Sequence, residues 1–574
     1  MKIIDYISAI MRKIALLFAM VFMAIALSAV TPKVLGNRHA MVGVDVVGKY
    51  LMLPVQESVD NASVRVLVAG EQRQSFNVRL AVDKIDYFVP LDISRFGSDK
   101  LLLDITFRGD KLTPDAIRQF VCWSEMPQGN GFETANKERL RPVYHHTPPY
   151  GWMNDPNGMF YKDGVYHLYY QWNPYGSQWE NMTWGHSVSR DLIHWDALPA
   201  AIEPDALGTI FSGSCVVDRI NSSGFGGGTV IAFYTSAGQN QTQSMAYSVD
   251  DGRTFTKYVS NPVITGDIPD FRDPKAFWNG EAGMWNLILA AGQEMRIYSS
   301  YDLKQWKYES SFGEGYGCHE SVWECPDLFA LNVRGTGARK WMLVCNTGGA
   351  PGGGSGTQYF IGDFDGHKFT TTQKDALWMD YGKDHYATVT FDNAPGGRRI
   401  ALAWMSNWQY AGVVPTMQFR SANSVPRDLD IFENDGRYYC GVIPSRELLS
   451  LRGNKVKHPT ETCEIVVDLK GTASIVLSNQ KGEKVIMEYD SKSRKFVMDR
   501  NLSGNTSFHK DFPARTIAPV HGDMKQLRIF IDRCSIEVFD SEGKMAMTNL
   551  VFPSEPYGTL TIKGGKATIY SIAQ

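Results

Sequence analysis

The chain has 574 residues and a formal net charge of -3, from 58 Lys plus Arg against 61 Asp plus Glu. Its 43% hydrophobic and 21% charged residues supply enough apolar content for packed cores and argue against a disordered chain. The near-neutral balance gives no general attraction to nucleic acid or acidic lipid. The length predicts roughly two to four domains. The 53 Gly and 12% aromatic residues predict a β-rich protein with stacking surfaces that suit flat ligands such as sugar rings.

At the N-terminus, Arg12 and Lys13 precede an uncharged run from Ile14 to Val30, with a small-residue exit at Ala26, Leu27 and Ser28. That order reads as a secretory signal over residues 1–30, removed on export. This run of 17 residues falls short of the roughly 20 a spanning helix needs. Leu27-Ser28-Ala29-Val30 resembles a lipoprotein box, but Val30 stands where the lipidated Cys belongs. The expectation is an exported, periplasmic or extracellular protein, soluble rather than lipid-anchored, with no membrane contact beyond this segment.

Residues 33–138 carry alternating runs such as Val64–Val68 and Leu101–Phe107, which read as a small N-terminal β domain without a catalytic cluster.

Over residues 139–445 a weak repeat appears: Asp191/Trp195, Asp251/Phe255, Asp302/Trp306 and Asp365/Phe369. Ser189, Ser248 and Ser300 precede the first three, and the copies are 60, 51 and 63 residues apart. Such a period with strand and turn signals predicts propeller blades, and the region's length suits five of them. Residues 446–574 return to short alternating strands, with Lys525–Asp532 and Ser535–Phe539 flanking a tight turn, and predict a β-sandwich. The eight Cys form no CxxC pair, which argues against a zinc ribbon and leaves buried free thiols as the plain reading.

Three carboxylates stand out. Asp155 lies in Trp152–Gly158, where Pro156 forces it out of the α region and Gly158 allows a tight turn; taken alone the turn favours an Asx-turn. Asp273 lies in Phe271-Arg272-Asp273-Pro274, with Arg272 as a charge partner. Glu324 lies in Trp323-Glu324-Cys325-Pro326-Asp327, where burial beside Trp323 and Cys325 raises a carboxyl pKa. They are 118 and 51 residues apart, so different blades would carry them to one axial pocket. Glycoside hydrolysis needs such a pair of facing carboxyl groups. Gly352–Gly356 lacks a following helix, which argues against a nucleophile elbow or phosphate loop and reads as a flexible loop. His145 and His146 are adjacent, so their side chains diverge, and no His cluster has metal-ligand spacing.

The motifs WMNDPNG (152–158), QWNP (171–174), FSG (211–213), FRDP (271–274), ECP (324–326), DYGKDHYA (380–387) and WMSNW (404–408), in that order, resemble glycoside hydrolase family 32, the invertase, inulinase and levanase group. The resemblance covers about residues 140–574. It implies an all-β fold, a five-bladed propeller followed by a sandwich, and a retaining hydrolase that uses neither cofactor nor metal. By it, Asp155 is the nucleophile, Glu324 the acid/base and Asp273 the transition-state stabiliser, with Asp155 and Glu324 about 5–5.5 Å apart. Asn154, Gln171, Trp179, Phe211, Ser212, Arg272, Trp184 and Trp408 are the implied substrate-binding residues, and Cys325 tunes the acid by packing. The implied substrate is fructan (levan or inulin), with sucrose as a further one, cleaved from the terminus. An endo-levanase, a fructosyltransferase and a noncatalytic carbohydrate-binding propeller are the alternatives.

Overall fold

A computed structural model describes residues 29–109, 112–132 and 138–572. The signal segment predicted for 1–30 therefore lies almost wholly outside the described residues. Among those residues no helix is long and apolar enough to cross a membrane. The chain divides into two compact units: residues 1–136 with 174–181, and residues 137–173 with 182–574.

The first unit is built on two antiparallel sheets, one of five strands and one of three. Ala62–Val68 and Lys100–Thr106 pair within the larger sheet, and the alternating burial of Ala62–Val68 matches its sequence alternation. The segment 174–181 belongs to this unit. Tyr175 stacks on Phe76 at 3.9 Å, Ser177 donates to Glu57 at 2.5 Å, and Asn181 accepts from the Asn77 backbone N–H at 2.8 Å.

The second unit holds the predicted five-bladed β-propeller and the β-sandwich. The blades begin on the inner strands Gly151–Lys162, Thr209–Asp218, Phe271–Asn279, Glu324–Asn332 and Tyr386–Thr390. A second strand such as Met284–Ala291 is buried at all eight positions. Its apolar run, interrupted only by the buried Asn286, is what a strand packed on both faces between blades requires. One cluster joins the third and fourth blades through Ile288, Ile297, Leu328 and Leu343. Another closes the ring, with Met153 and Leu168 of the first blade against Tyr386, Val389 and Leu402 of the fifth.

The repeat marks the turn between the third and fourth strands of the first four blades. In each turn the Asp carboxylate accepts backbone N–H groups two to four residues on, at 2.7–3.0 Å. In the second blade the acceptor is Asp250, not Asp251. Ser248 and Thr254 bond Asp250, while Asp251 pairs outward with Lys162. An extra residue in that turn moves the side chain that reaches back.

A second correction concerns Trp152–Gly158. These residues do not turn; they run within the continuous inner strand Gly151–Lys162. Gly158, at φ 53°, is required by space: a Cβ there would lie 2.7 Å from Tyr169 and 2.8 Å from Trp184.

In the sandwich, Gln526–Asp532 and Ser535–Asp540 form the predicted hairpin around Arg533-Cys534. All eight cysteines are free thiols, and seven are buried.

Candidate active site

Each inner strand breaks its ladder near its first residues. Register shifts fall between Met153 and Pro156, Ile210 and Gly213, Arg272 and Lys275, Glu324 and Asp327, and Tyr386 and Val389. At three of these bulges a non-glycine residue takes positive φ: Asp273 at 66°, Cys325 at 42° and Ala387 at 54°. Bulges re-aim side chains, and such strain persists only where the surroundings enforce it. The prolines after Asp273 and Cys325 therefore follow left-handed residues, not the extended ones an X-Pro pair favours.

The bulges bring the three carboxylates together. Asp155 Oδ2 accepts from Ser212 Oγ at 2.7 Å and from the Cys325 thiol at 3.4 Å, and Asp155 Oδ1 accepts from Asn154 Nδ2 at 3.0 Å. Asp273 Oδ2 accepts the Cys325 backbone N–H at 2.9 Å, and the Asp273 N–H donates to Thr235 Oγ1 at 3.0 Å. Glu324 Oε1 accepts from Arg272 Nε and Nη2 at 3.2 and 3.0 Å, and its Oε2 accepts from the Tyr386 hydroxyl. Arg272 is held in turn by Asp270 at 2.6 Å and Gln241 at 3.2 Å.

Burial dominates the electrostatics. It raises the Asp155 pKa above the ordinary carboxylate value; Glu324 adds repulsion, while Ser212, Asn154 and Cys325 pull it back. Burial and the charges of Glu324 and Asp155 raise Asp273 to about 7, against the opposing pull of Arg272. The Cys325 thiol is pushed well above its ordinary value by burial and the three carboxylates, so it stays protonated and donates.

Asn154, Ser212 and Arg272 touch the carboxylates directly. Gln171 is buried and donates to the Ile210 carbonyl at 3.0 Å, beside the strand that carries Phe211 and Ser212. Phe211 packs half-buried against the first-blade core. Trp408 is 43% exposed and lies 5.9 Å from Trp152 at 25°. Trp179 falls on segment 174–181 and is 46% exposed. Trp184 is a correction. It is fully buried among Phe160, Tyr169 and Cys215, and it holds the Phe211 carbonyl through Nε1 at 3.0 Å. It supports the wall and offers no face to a ligand.

The sequence reading missed Tyr386, Gln241 and Thr235 as site-shaping residues. Tyr386 lay inside a quoted motif, Asp380–Ala387, but nothing in its spacing indicated a hydroxyl aimed at Glu324. His145 and His146 do diverge, the first to Asp532 and Glu537, the second to Asn423 and Ser187. Among the described residues no group of three or more His, Cys, Asp and Glu side chains could hold a metal ion.

Residues 145–440 match the family model of the glycosyl hydrolases family 32 N-terminal domain, and residues 445–573 that of the family 32 C terminal. Residues 36–144 match a domain of unknown function (DUF4980). The levanase of Bacillus subtilis (strain 168) is 45% identical over 453 residues, covering 72% of this chain and 67% of its own. The extracellular exo-inulinase inuE of Aspergillus niger is 36% identical over 485 residues, covering 72% of this chain and 90% of its own. The crystal structure of exo-inulinase from Aspergillus awamori superposes with a TM-score of 0.72 at 33% identity, over 76% of this chain and 99% of that one.

Proposed function

The chain belongs to glycosyl hydrolase family 32 and is a glycoside hydrolase, and we propose that it releases terminal β-D-fructofuranosyl units from fructans, and from sucrose, with retention of configuration. One observation carries the reading: Asp155, Asp273 and Glu324, from three blades, converge on the single residue Cys325 or lie next to it in the chain. The similarity to a levanase and to exo-inulinases supports fructan as the substrate class.

In this reading Asp155 attacks the anomeric carbon of the terminal fructosyl unit as Glu324 gives its proton to the departing glycosidic oxygen. A fructosyl ester forms on Asp155. Glu324 then takes a proton from water, whose oxygen attacks the same carbon, breaks the ester and releases fructose and the Asp155 carboxylate. Asp273 receives fructosyl hydroxyls. Asn154, Gln171, Phe211, Ser212 and Arg272 shape the fructosyl subsite, and Trp408 meets the ring beyond it. Every step uses side chains of this chain alone. The apolar run after Arg12 and Lys13, together with the extracellular exo-inulinase relatives, supports an exported enzyme.

The test is product analysis on levan, inulin and sucrose. Fructose as the sole early product is expected. A ladder of oligosaccharides would point to endo cleavage, and longer products to fructosyl transfer. Glu324→Gln and Asp155→Asn should abolish turnover while remaining folded; undiminished hydrolysis by either overturns its role.

A further inference from the structure

Asn407 is fully buried and ties three loops together. Its Nδ2 donates to the Lys383 carbonyl at 2.8 Å and to the Gly353 carbonyl at 3.1 Å. Its Oδ1 accepts the Gln409 N–H at 3.0 Å and the Ser355 N–H at 3.5 Å. Both halves of the amide are used, which fixes its orientation. The glycine-rich stretch 352–356 is therefore a held loop, not the flexible one its composition predicted. Lys383 Nζ donates to the Gly352 carbonyl at 3.0 Å, and Gly354 takes φ 75° where a Cβ would lie 2.3 Å from Asn407 Oδ1. Only glycine lets the loop approach that closely.

Between these anchors sits Trp408. Its backbone N–H donates to the buried Ser355 Oγ at 3.2 Å. Its ring, 43% exposed, rests on Trp404 at 4.7 Å and Trp152 at 5.9 Å. Trp152 Nε1 donates to Asn154 Oδ1 at 2.8 Å, and Asn154 donates to Asp155. An exposed aromatic face is thus connected, contact by contact, to the carboxylate at the centre of the site.

We propose that Asn407 and Ser355 are positioning residues that hold Trp408 as a stacking platform for the sugar ring on the leaving side of the scissile bond, and so set the preference for fructan chains over small fructosides. The proposal rests on the fructosidase reading above. A ring rigidly backed at both its backbone and its face loses little entropy when a sugar stacks on it. Neither positioning residue touches substrate; each acts through Trp408.

The experiment compares kcat/KM on an inulin-type oligosaccharide with kcat/KM on methyl β-D-fructofuranoside, which has no ring on the leaving side. Ser355→Ala should lower that ratio roughly five-fold, mainly through KM, and Ser355→Thr should restore it. Trp408→Ala should lower it roughly ten-fold, and adding Ser355→Ala should then change nothing further. An unchanged ratio in Ser355→Ala, or an additive double variant, overturns the proposal. Binding of the oligosaccharide to Glu324→Gln, followed by calorimetry with and without Ser355→Ala, reads the platform without turnover. Equal affinities there overturn it too, whereas an inactive parent enzyme that still binds the oligosaccharide through Trp408 counts against the hydrolase reading alone.

Discussion

The Cys325 thiol points at Oδ2 of Asp155 from 3.4 Å, and its own backbone N–H points at Asp273. The sequence placed Cys325 beside Glu324 and expected it to act on the acid by packing. The bulge at Cys325 turns the side chain to the other carboxylate instead. One residue so fixes all three acids: two by hydrogen bonds, the third by the peptide bond. Cys325→Ala should therefore cost kcat roughly ten-fold, the scale of one hydrogen bond to a charged group. It should also shift the acid limb of the pH profile upward, because the thiol helps hold the Asp155 pKa down. Cys325→Ser, which keeps a donor, should recover part of both. Equal losses in the two variants would assign the residue to packing.

Tyr386 donates its hydroxyl to Glu324 Oε2 from a buried position on the fifth blade. Tyr386→Phe leaves the Glu324 carboxylate with Arg272 as its remaining side-chain partner. A loss of kcat of roughly ten-fold is expected on fructan, and a smaller loss on a fructoside whose leaving group needs no proton. Steady-state kinetics on both substrates checks this, and an equal loss on both would detach Tyr386 from proton transfer.

Asp273, with its pKa raised to about 7, must lose a proton to act as a carboxylate toward fructosyl hydroxyls. A rise of kcat/KM with pH up to about 7 follows. Arg272 opposes that raised pKa, so Arg272→Gln removes the opposition and should move the limb upward by about one unit. The pH dependence of kcat/KM in the two proteins is the measurement. A limb that stays in place would separate it from Asp273.

The architecture was legible because its signals are local. Aspartate and aromatic recur at every turn between the third and fourth strands of the first four blades, with a serine before the first three, and the hairpin at Arg533-Cys534 shows in alternation alone. The misses came from packing at a distance. The sequence chose Asp251 over Asp250 because nothing local tells which of two adjacent carboxylates turns back. It read Gly158 as a turn residue when the need is room for Tyr169 and Trp184. It put Trp184 in the pocket, since a tryptophan between two motifs looks the same whether it lines a wall or stands behind it. Tyr386 escaped because an aim across 62 residues leaves no spacing pattern.

Propeller and sandwich are locked by a buried ionic cluster. His145 bonds Asp532 and Glu537, each at 2.8 Å, while Arg427 bonds Glu537 at 2.5 Å and Asp380 at 2.8 Å. Burial alone would lower the His145 pKa, but the two carboxylates outweigh it and raise the value from 6.5 to about 9. A raised pKa means the imidazolium contributes stability fully below about 6.5 and loses it as pH climbs through about 9. Asp532 and Glu537 are shifted the other way, so their contribution is present above 3.8 and 4.5 and fades only at lower pH. The lock is strongest between these limits, near pH 5–6. His145→Gln exchanges the imidazolium for a neutral amide and leaves buried charge uncompensated, at a cost of about 3 kcal/mol or more. Urea unfolding should show that gap near pH 6 and show it narrowing above pH 9, where the native imidazole is itself neutral. A gap of equal size at both pH values would mean that His145 serves the interface by shape and not by charge.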